Sequence, residues 1–177
     1  MHKIFMLALA LMLTFTCLSA EAGVFGWLKK TELELSPEVK GTITLHEKPV
    51  VGAIVHRLLS YGDREFNDKV TTDTNGQFNL PAKKARIRVS PMFDTWVSQV
   101  LLVEYAGKKV EVWTAGATSV LDSDSIKLLL SDVNCEISAP EMKIGIPRTN
   151  PRSPLLWMVT TCNFKHDHVI IEKELNK

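Results

Sequence analysis

From Leu33 onward, apolar residues fall mainly on alternate positions, the period of a β-strand. "GTITLHE" sets Ile43 and Leu45 on one face, and "KPVVG" supplies a turn at Pro49 and Gly52. "AIVHRLLSY" is a long apolar and β-branched run. "RIRVS" alternates Ile87 and Val89 with Arg86 and Arg88. "WVSQVLLVEY" and "KKVEVWT" flank Ala106-Gly107-Lys108, which predicts a hairpin with glycine where the backbone takes a positive φ. "SIKLLL", "CEIS" and "LLWMVTTC" complete about eight predicted strands, and no long amphipathic helix interrupts them. The pattern predicts an all-β sandwich. "APEMKIGIPRTNPRSP" (Ala139 to Pro154) holds four of the eight prolines and predicts an irregular loop. The tail "KHDHVIIEKELNK" offers either a last strand at Val169 to Ile171 or a frayed end.

The first residues follow a different rule. A short basic start at His2 and Lys3 precedes an apolar run from Ile4 to Leu18, and Ala20-Glu21-Ala22 has the small-x-small pattern of a cleavage site. These features predict a secretory signal peptide over residues 1–22, cleaved after Ala22. The run is shorter than the ~20 residues that span a bilayer comfortably. No later stretch is long and apolar enough to span, so the expected product is soluble in the periplasm or secreted. Lipidation at Cys17 is the competing outcome, disfavoured by the bulky Phe15 just before it. With Cys17 removed, Cys135 and Cys162 remain, and an oxidising compartment favours their pairing. Such a bond would contribute about 3–4 kcal/mol by constraining the unfolded chain. Residues 23–40 open with the apolar cluster Val24, Phe25, Trp27 and Leu28 beside Lys29 and Lys30. That cluster is expected to pack as a first edge element, with a membrane-surface segment as the alternative. The sandwich is expected over 41–164 and a tail over 165–177.

Composition changes this picture little. With 177 residues, 45% hydrophobic, 23% charged and net charge +1, the chain suits one globular domain. The scattered basic residues argue against nucleic acid, whose affinity needs clustered cations. "KKARIR" (Lys83 to Arg88) alternates with apolar residues and reads as a strand with one solvated face.

"TTDTNGQFNLP" (Thr71 to Pro81) places Thr71, Asp73, Asn75 and Gly76 at positions 1, 3, 5 and 6 of a calcium loop, but position 12 is Ala82 where a bidentate acid is required. The stretch is therefore expected to be a turn at Asn75-Gly76 followed by a strand, with Phe78 and Leu80 inward and Gln77 and Asn79 outward. Read together with "GTITLHEKPVVGAIVHRLL", it resembles the carboxypeptidase regulatory-like, or transthyretin-like, β-sandwich. The resemblance rests on Gly41, on Pro49, Gly52 and Ala53, and on Thr72, Asp73, Gly76, Phe78, Leu80 and Pro81, and it runs from Gly41 to about Val89. It extends to small exported gammaproteobacterial proteins built on one such domain. The resemblance implies a seven- to eight-stranded Greek-key sandwich and a binding, adhesion or stability module rather than a chemistry.

A search for chemistry finds little. The hydroxyisourate-hydrolysing branch of the transthyretin-like fold ends in Tyr-Arg-Gly-Ser, whereas this chain ends in Glu-Leu-Asn-Lys, and His46 and His56 lie outside that branch's motifs. No His-x-x-Glu zinc motif is present. His166-Asp167-His168 supplies two aligned imidazoles where a closed zinc site needs four ligands. Ser60, Ser90 and Ser98 lack a motif, and Asp122 and Asp124 read as solvated turn residues. No catalytic residue, metal or cofactor is expected. Of the tryptophans Trp96, Trp113 and Trp157, alternation puts Trp113 on a face with Lys109 and Glu111, opposite Val110 and Val112. Those three residues form the candidate interaction surface, unless the N-terminal segment or the Pro-rich loop covers it. The expected function is a non-enzymatic module that binds a protein or envelope component through strand edges, Trp113 and the 139–154 loop. Carbohydrate binding on an aromatic platform is the alternative. A small hydrolase with an unrecognised site is the third reading, which a pocket holding His46 or His56 with a carboxylate would favour.

Overall fold

The computed structural model describes residues 30–88, 96–118, 123–147, 152, 154–164 and 170–175. The segment 1–22 expected to be a signal peptide, with Cys17, the cluster Val24, Phe25, Trp27 and Leu28, and Val89, Ser90, Asp122 and His166-Asp167-His168 lie outside these residues. So does the Trp96 side chain.

The chain runs β1 (Lys30–Ser36), β2 (Val39–Leu45), β3 (Lys48–Pro49), β4 (Ile54–Tyr61), β5 (Arg64–Thr71), β6 (Gln77–Leu80), β7 (Lys83–Arg88), β8 (Trp96–Tyr105), β9 (Lys108–Thr118), α1 (Ser123–Leu130), β10 (Val133–Glu136), β11 (Glu141–Ile146), β12 (Leu156–Thr160), β13 (Cys162–Asn163) and β14 (Ile170–Leu175). One layer is a seven-stranded sheet in the order β14-β11-β12-β9-β8-β4-β5. The other combines the sheet β13-β10-β2-β3, to which β6 also pairs through β2, with the ribbon β1-β7. The result is an all-β sandwich, as the alternation predicts.

Alternation decides what each layer buries. In β4, Val55, Arg57, Leu59 and Tyr61 are buried, while Ile54, His56, Leu58 and Ser60 turn to the other face. The larger core cluster joins Val55, Leu101, Val103, Val112 and Met158 of the large sheet to Val39, Ile43, Phe78, Leu80 and Val133 of the facing sheet. A smaller cluster packs Leu35 and Ile87 of the ribbon on Leu59, Tyr61 and Val97.

The turns match their residues. Ala106 and Gly107 take φ of 49° and 75°, as a tight hairpin requires. Asp73 Oδ1 accepts the N–H groups of Asn75 and Gln77, each at 2.8 Å, which fixes the loop between β5 and β6. Gly76 takes φ 71°, and a Cβ there would lie 2.6 Å from the Ile43 carbonyl oxygen, so only glycine fits. Phe78 and Leu80 are buried and Gln77 and Asn79 exposed. "TTDTNGQFNLP" thus folds as a turn and a strand.

Three expectations are corrected. "SIKLLL" forms most of α1 and not a strand. Ile126, Leu129 and Leu130, at helical spacing, are buried against the core, while Lys127 and Leu128 are exposed. Six residues are too few for sequence alone to separate the two periods. The "irregular" loop from Ala139 to Pro154 contains β11, paired with β12 on one side and β14 on the other. Its prolines bracket the strand, with Pro140 just before it and Pro147 just after. The fourteen strands among the described residues also outnumber the eight expected: β3 and β13 are two-residue pairings with no readable period, and β1, β5, β11 and β14 lie outside the runs read as strands. The tail does form a strand, β14.

Cys135 and Cys162 face each other on β10 and β13 and are bonded, as expected, across 27 positions of sequence. Among the described residues no helix is long and apolar enough to cross a membrane.

Arg57 is the one charged residue of the buried set, fully enclosed between the layers. Its Nε and Nη2 donate to the two Asp68 carboxylate oxygens at 2.9 and 2.6 Å, and Nη2 also donates to Pro81 O at 2.8 Å. Its Nη1 donates to Ser36 Oγ at 3.1 Å and Pro37 O at 3.3 Å. All five guanidinium N–H groups are thereby used. Burial acts to raise the Asp68 carboxyl, but the hydrogen bonds and charge of Arg57, with Lys83 beside them, hold it below the ordinary value.

Asp68→Asn leaves this buried cation without its counter-charge. Removing one partner of a buried pair costs about 3–5 kcal/mol, and the low end applies because Asp68 is a quarter exposed. Urea unfolding of the variant is expected to show a loss of about 3 kcal/mol. Cys135→Ala with Cys162→Ala is expected to lower stability by about 3–4 kcal/mol in the same assay, mainly by freeing the unfolded chain.

Candidate binding face

The seven-stranded sheet has one face against the core and one outside. Strand pairing defines a row across the outer face: Lys143 beside Val159, then Thr114, Val100, Leu58 and Asn67. A second row runs Glu111, Leu102, His56, Lys69, and a third Lys109, Glu104, Ile54, Thr71. Ile54, Leu58, Val100, Leu102 and Val159 are half-buried there. Leu58, Val100, Ser60, Ser98, Glu65 and Asn67 line a groove of about 160 Å³ on this face.

Among the described side chains, Trp157 is the large aromatic of the face, 37% exposed. Its ring lies against Gly145, where a Cβ would come within 2.7 Å of it, so glycine opens the seat. The Lys143 ammonium sits 4.5 Å from the ring centroid, a cation–π contact. Trp157 and Val159 point outward because Leu156, Met158 and Thr160, alternating with them, are buried.

Lys109 and Glu111 are exposed on this face, as the alternation predicts. Trp113 is not, and its place in the candidate interaction surface is corrected. It is fully buried, with its ring edge-on to Phe164 at 5.6 Å. A β-bulge is the cause: Leu101 opposes Trp113 but Leu102 opposes Glu111, so Val112 is an extra residue. Val112 and Trp113 both enter the core, and the alternation changes phase. The signal is visible in "KKVEVWT": polar Lys109 and Glu111 are two apart, whereas Glu111 and Thr114 are three apart. The hydroxyl of Thr114 donates to the Glu111 carboxylate across that step.

His56 does meet a carboxylate. Its Nε2 lies 3.0 Å from Glu104 Oε2, and Lys109 Nζ is 3.6 Å from the same oxygen. The hydrogen bond from His56, followed by the charge of Lys109, holds Glu104 below the ordinary carboxylate range. The trio stands on an open sheet surface, and among the described residues no serine is hydrogen-bonded to the imidazole. His46 lies in the β2–β3 turn, where it and Glu47 take positive φ. Glu136 clamps that turn by accepting the N–H groups of His46 and Glu47, each at 3.0 Å, and of Ser138 at 3.1 Å. Ser138 gives its hydroxyl proton directly to Glu136 and stands 3.4 Å from His46 Nδ1. A serine relay requires the imidazole between hydroxyl and carboxylate. Here the carboxylate takes the hydroxyl itself, so the cluster is a turn clamp.

A larger cleft of about 480 Å³ lies elsewhere, lined chiefly by polar side chains including Lys40, Thr42, Asp73, Gln77, Asn79 and Asp132. Asp73 is already engaged with its own turn, Asp132 with Asn134, and Lys40 with Glu38 at 3.0 Å. Among the described residues no group of three or more His, Cys, Asp or Glu is placed to hold a metal ion.

Residues 39–140 match the family described as a domain of unknown function (DUF6795), and the chain belongs to that family. The match takes in β4, β5, β8 and β9, the centre and one edge of the outer face, while Trp157 and Lys143 lie beyond it. Neither the curated proteins nor the solved structures yield a match to the chain. No enzymatic family is identified.

The Glu136 clamp makes stability depend on pH. Burial raises its carboxyl, but the hydrogen bonds from Ser138 and from the backbone of Glu47, Ser138 and His46 outweigh that and lower it from 4.5 to about 2. A depressed folded-state value gives stability that is complete above 4.5 and lost as pH falls toward 2. Thermal unfolding of Glu136→Gln against the parent is expected to show a melting-temperature gap at pH 6 that closes between pH 4.5 and 2.

Proposed function

We propose that this DUF6795-family chain is an exported, non-enzymatic binding module that docks a protein or envelope component on the outer face of its seven-stranded sheet. One observation carries the reading: that face presents Trp157, 37% exposed, beside the half-buried row Val159, Thr114, Val100 and Leu58, apolar but for Thr114, with the charged residues Lys109, Glu111 and Glu104 around it. An apolar strip with an aromatic anchor and a polar rim is the composition of a recognition surface. The inner face of the seven-stranded sheet is packed on the core, so the free apolar area of that sheet lies on its outer face.

Three further points support the reading. The resemblance of Gly41 to about Val89 to carboxypeptidase regulatory-like domains implies a binding module. The Cys135–Cys162 bond suits an oxidising compartment, in keeping with the signal peptide expected over residues 1–22 and a periplasmic or secreted product. The two histidine clusters are arranged as ion pair and turn clamp, which favours a non-enzymatic role. Carbohydrate binding fits less well, because the Trp157 ring is shared between Gly145 and the Lys143 ammonium, which a stacked sugar would have to displace.

The test is crosslinking and co-purification of tagged protein from its own envelope, beside Trp157→Ala and Val100→Lys. A single protein retained at near-equal amount, and reduced about tenfold or more in both variants with unfolding curves unchanged, is the expected result. Equal retention by parent and variants, or recovery of glycan alone, contradicts it.

A further inference from the structure

We propose that the exposed edge of β5 pairs antiparallel with β5 of a second copy, joining two seven-stranded sheets into one. β5 ends the sheet order, and among the described residues nothing pairs with its outer side. All eight of its residues are aligned with β4, from Ile54–Thr71 to Tyr61–Arg64, so the edge is long and regular. Long regular edges are templates for a further strand.

The backbone fixes which residues face the second copy. The Thr72 N–H donates to Ala53 O at 2.9 Å, so even-numbered residues turn their amides toward β4. In an antiparallel ladder the direction alternates, and the odd-numbered residues turn theirs to the open side. Glu65, Asn67, Lys69 and Thr71 therefore carry the available N–H and C=O groups, and all four side chains are exposed.

A two-fold axis through Asn67 brings these groups together. Asn67 then opposes Asn67, Glu65 opposes Lys69, and Lys69 opposes Glu65. Each is an odd-to-odd pair, as the hydrogen bonds require. The arrangement is self-complementary, which is the condition for a two-fold interface. Centring the axis on Glu65 or on Lys69 instead sets like charges opposite each other. Opposed like charges destabilise a strand pair, and centres on Phe66 or Asp68 set Asn67 opposite Glu65 or Lys69, so the Asn67 centre is the one that pairs Glu65 with Lys69 twice while the backbone bonds hold it. The joint lies at the margin of the proposed binding face, where Glu65 and Asn67 also line the groove, and it is made by β5 alone, apart from Trp157, Val159 and Val100. It sets two such faces side by side, and it stands or falls independently of what they bind.

Analytical ultracentrifugation of the purified protein tests it. The parent is expected to approach twice the chain mass at high concentration and to dissociate on dilution. Glu65→Lys and Lys69→Glu singly are each expected to weaken association about tenfold, since each turns two opposite-charge pairs into like-charge pairs. Combined, they are expected to restore it to within about threefold. Asn67→Pro should abolish the dimer and keep the fold, because the amide it removes points away from β4. Should that variant unfold by circular dichroism, the charge reversals decide alone. A monomer at every concentration, a dimer indifferent to the charge reversals, or a double variant no better than the singles overturns the proposal.

Discussion

The Arg57 guanidinium is the interaction on which the layout of both layers depends. It projects from the core face of β4 and is bound by Asp68 on β5, by Ser36 and Pro37 at the end of β1, and by Pro81 just past β6. A single cation thus fastens the edge hairpin of the large sheet to the points where the ribbon and β6 leave the second layer. Enclosing a charge is costly unless it is paired and every donor is satisfied. Here both conditions hold, and the satisfied geometry is specific: shifting β5 by one residue would turn Asp68 to the outer face. The same contact therefore fixes which side chains of β5 point outward.

That constraint separates two kinds of surface. The core face of the large sheet is consumed by packing, including Trp113, which the bulge at Val112 swings inward. The outer face keeps Ile54 and Leu58 of β4 and Val100 and Leu102 of β8, with the hydrogen-bonded pair His56–Glu104 beside them. These apolar residues are not part of the core clusters, and Gly145 leaves the space that the Trp157 ring occupies on the same face. A sheet built only to fold would place polar residues there. The outer face is the part of the molecule whose composition the fold does not explain.

Local rules made much of this legible. Alternation in "AIVHRLLSY" and the Asn75-Gly76 turn depend on neighbours in sequence, and both appear as read. The cysteine pairing was accessible because only two cysteines remain after the expected cleavage. Three features escaped for physical reasons. The helix α1 is eight residues long, little more than two turns of its own pattern. β11 lies between prolines that mark its ends, which composition alone takes for a loop. The bulge breaks the period that alternation relies on, and so Trp113 was assigned to the wrong face while Lys109 and Glu111, before the break, were assigned to the right one. The seat of Trp157 depends on Gly145, which lies on β11, a strand that local composition hides. Long-range pairings such as Arg57 with Pro37 and Pro81 leave no local trace at all.

The most direct measurement is photo-crosslinking in living cells with a photoreactive amino acid placed at Val100 on the outer face or at Asn79 in the polar cleft. The account predicts a discrete adduct from Val100 and none from Asn79. An adduct from Asn79 alone would move the binding surface to the cleft and contradict the outer-face reading.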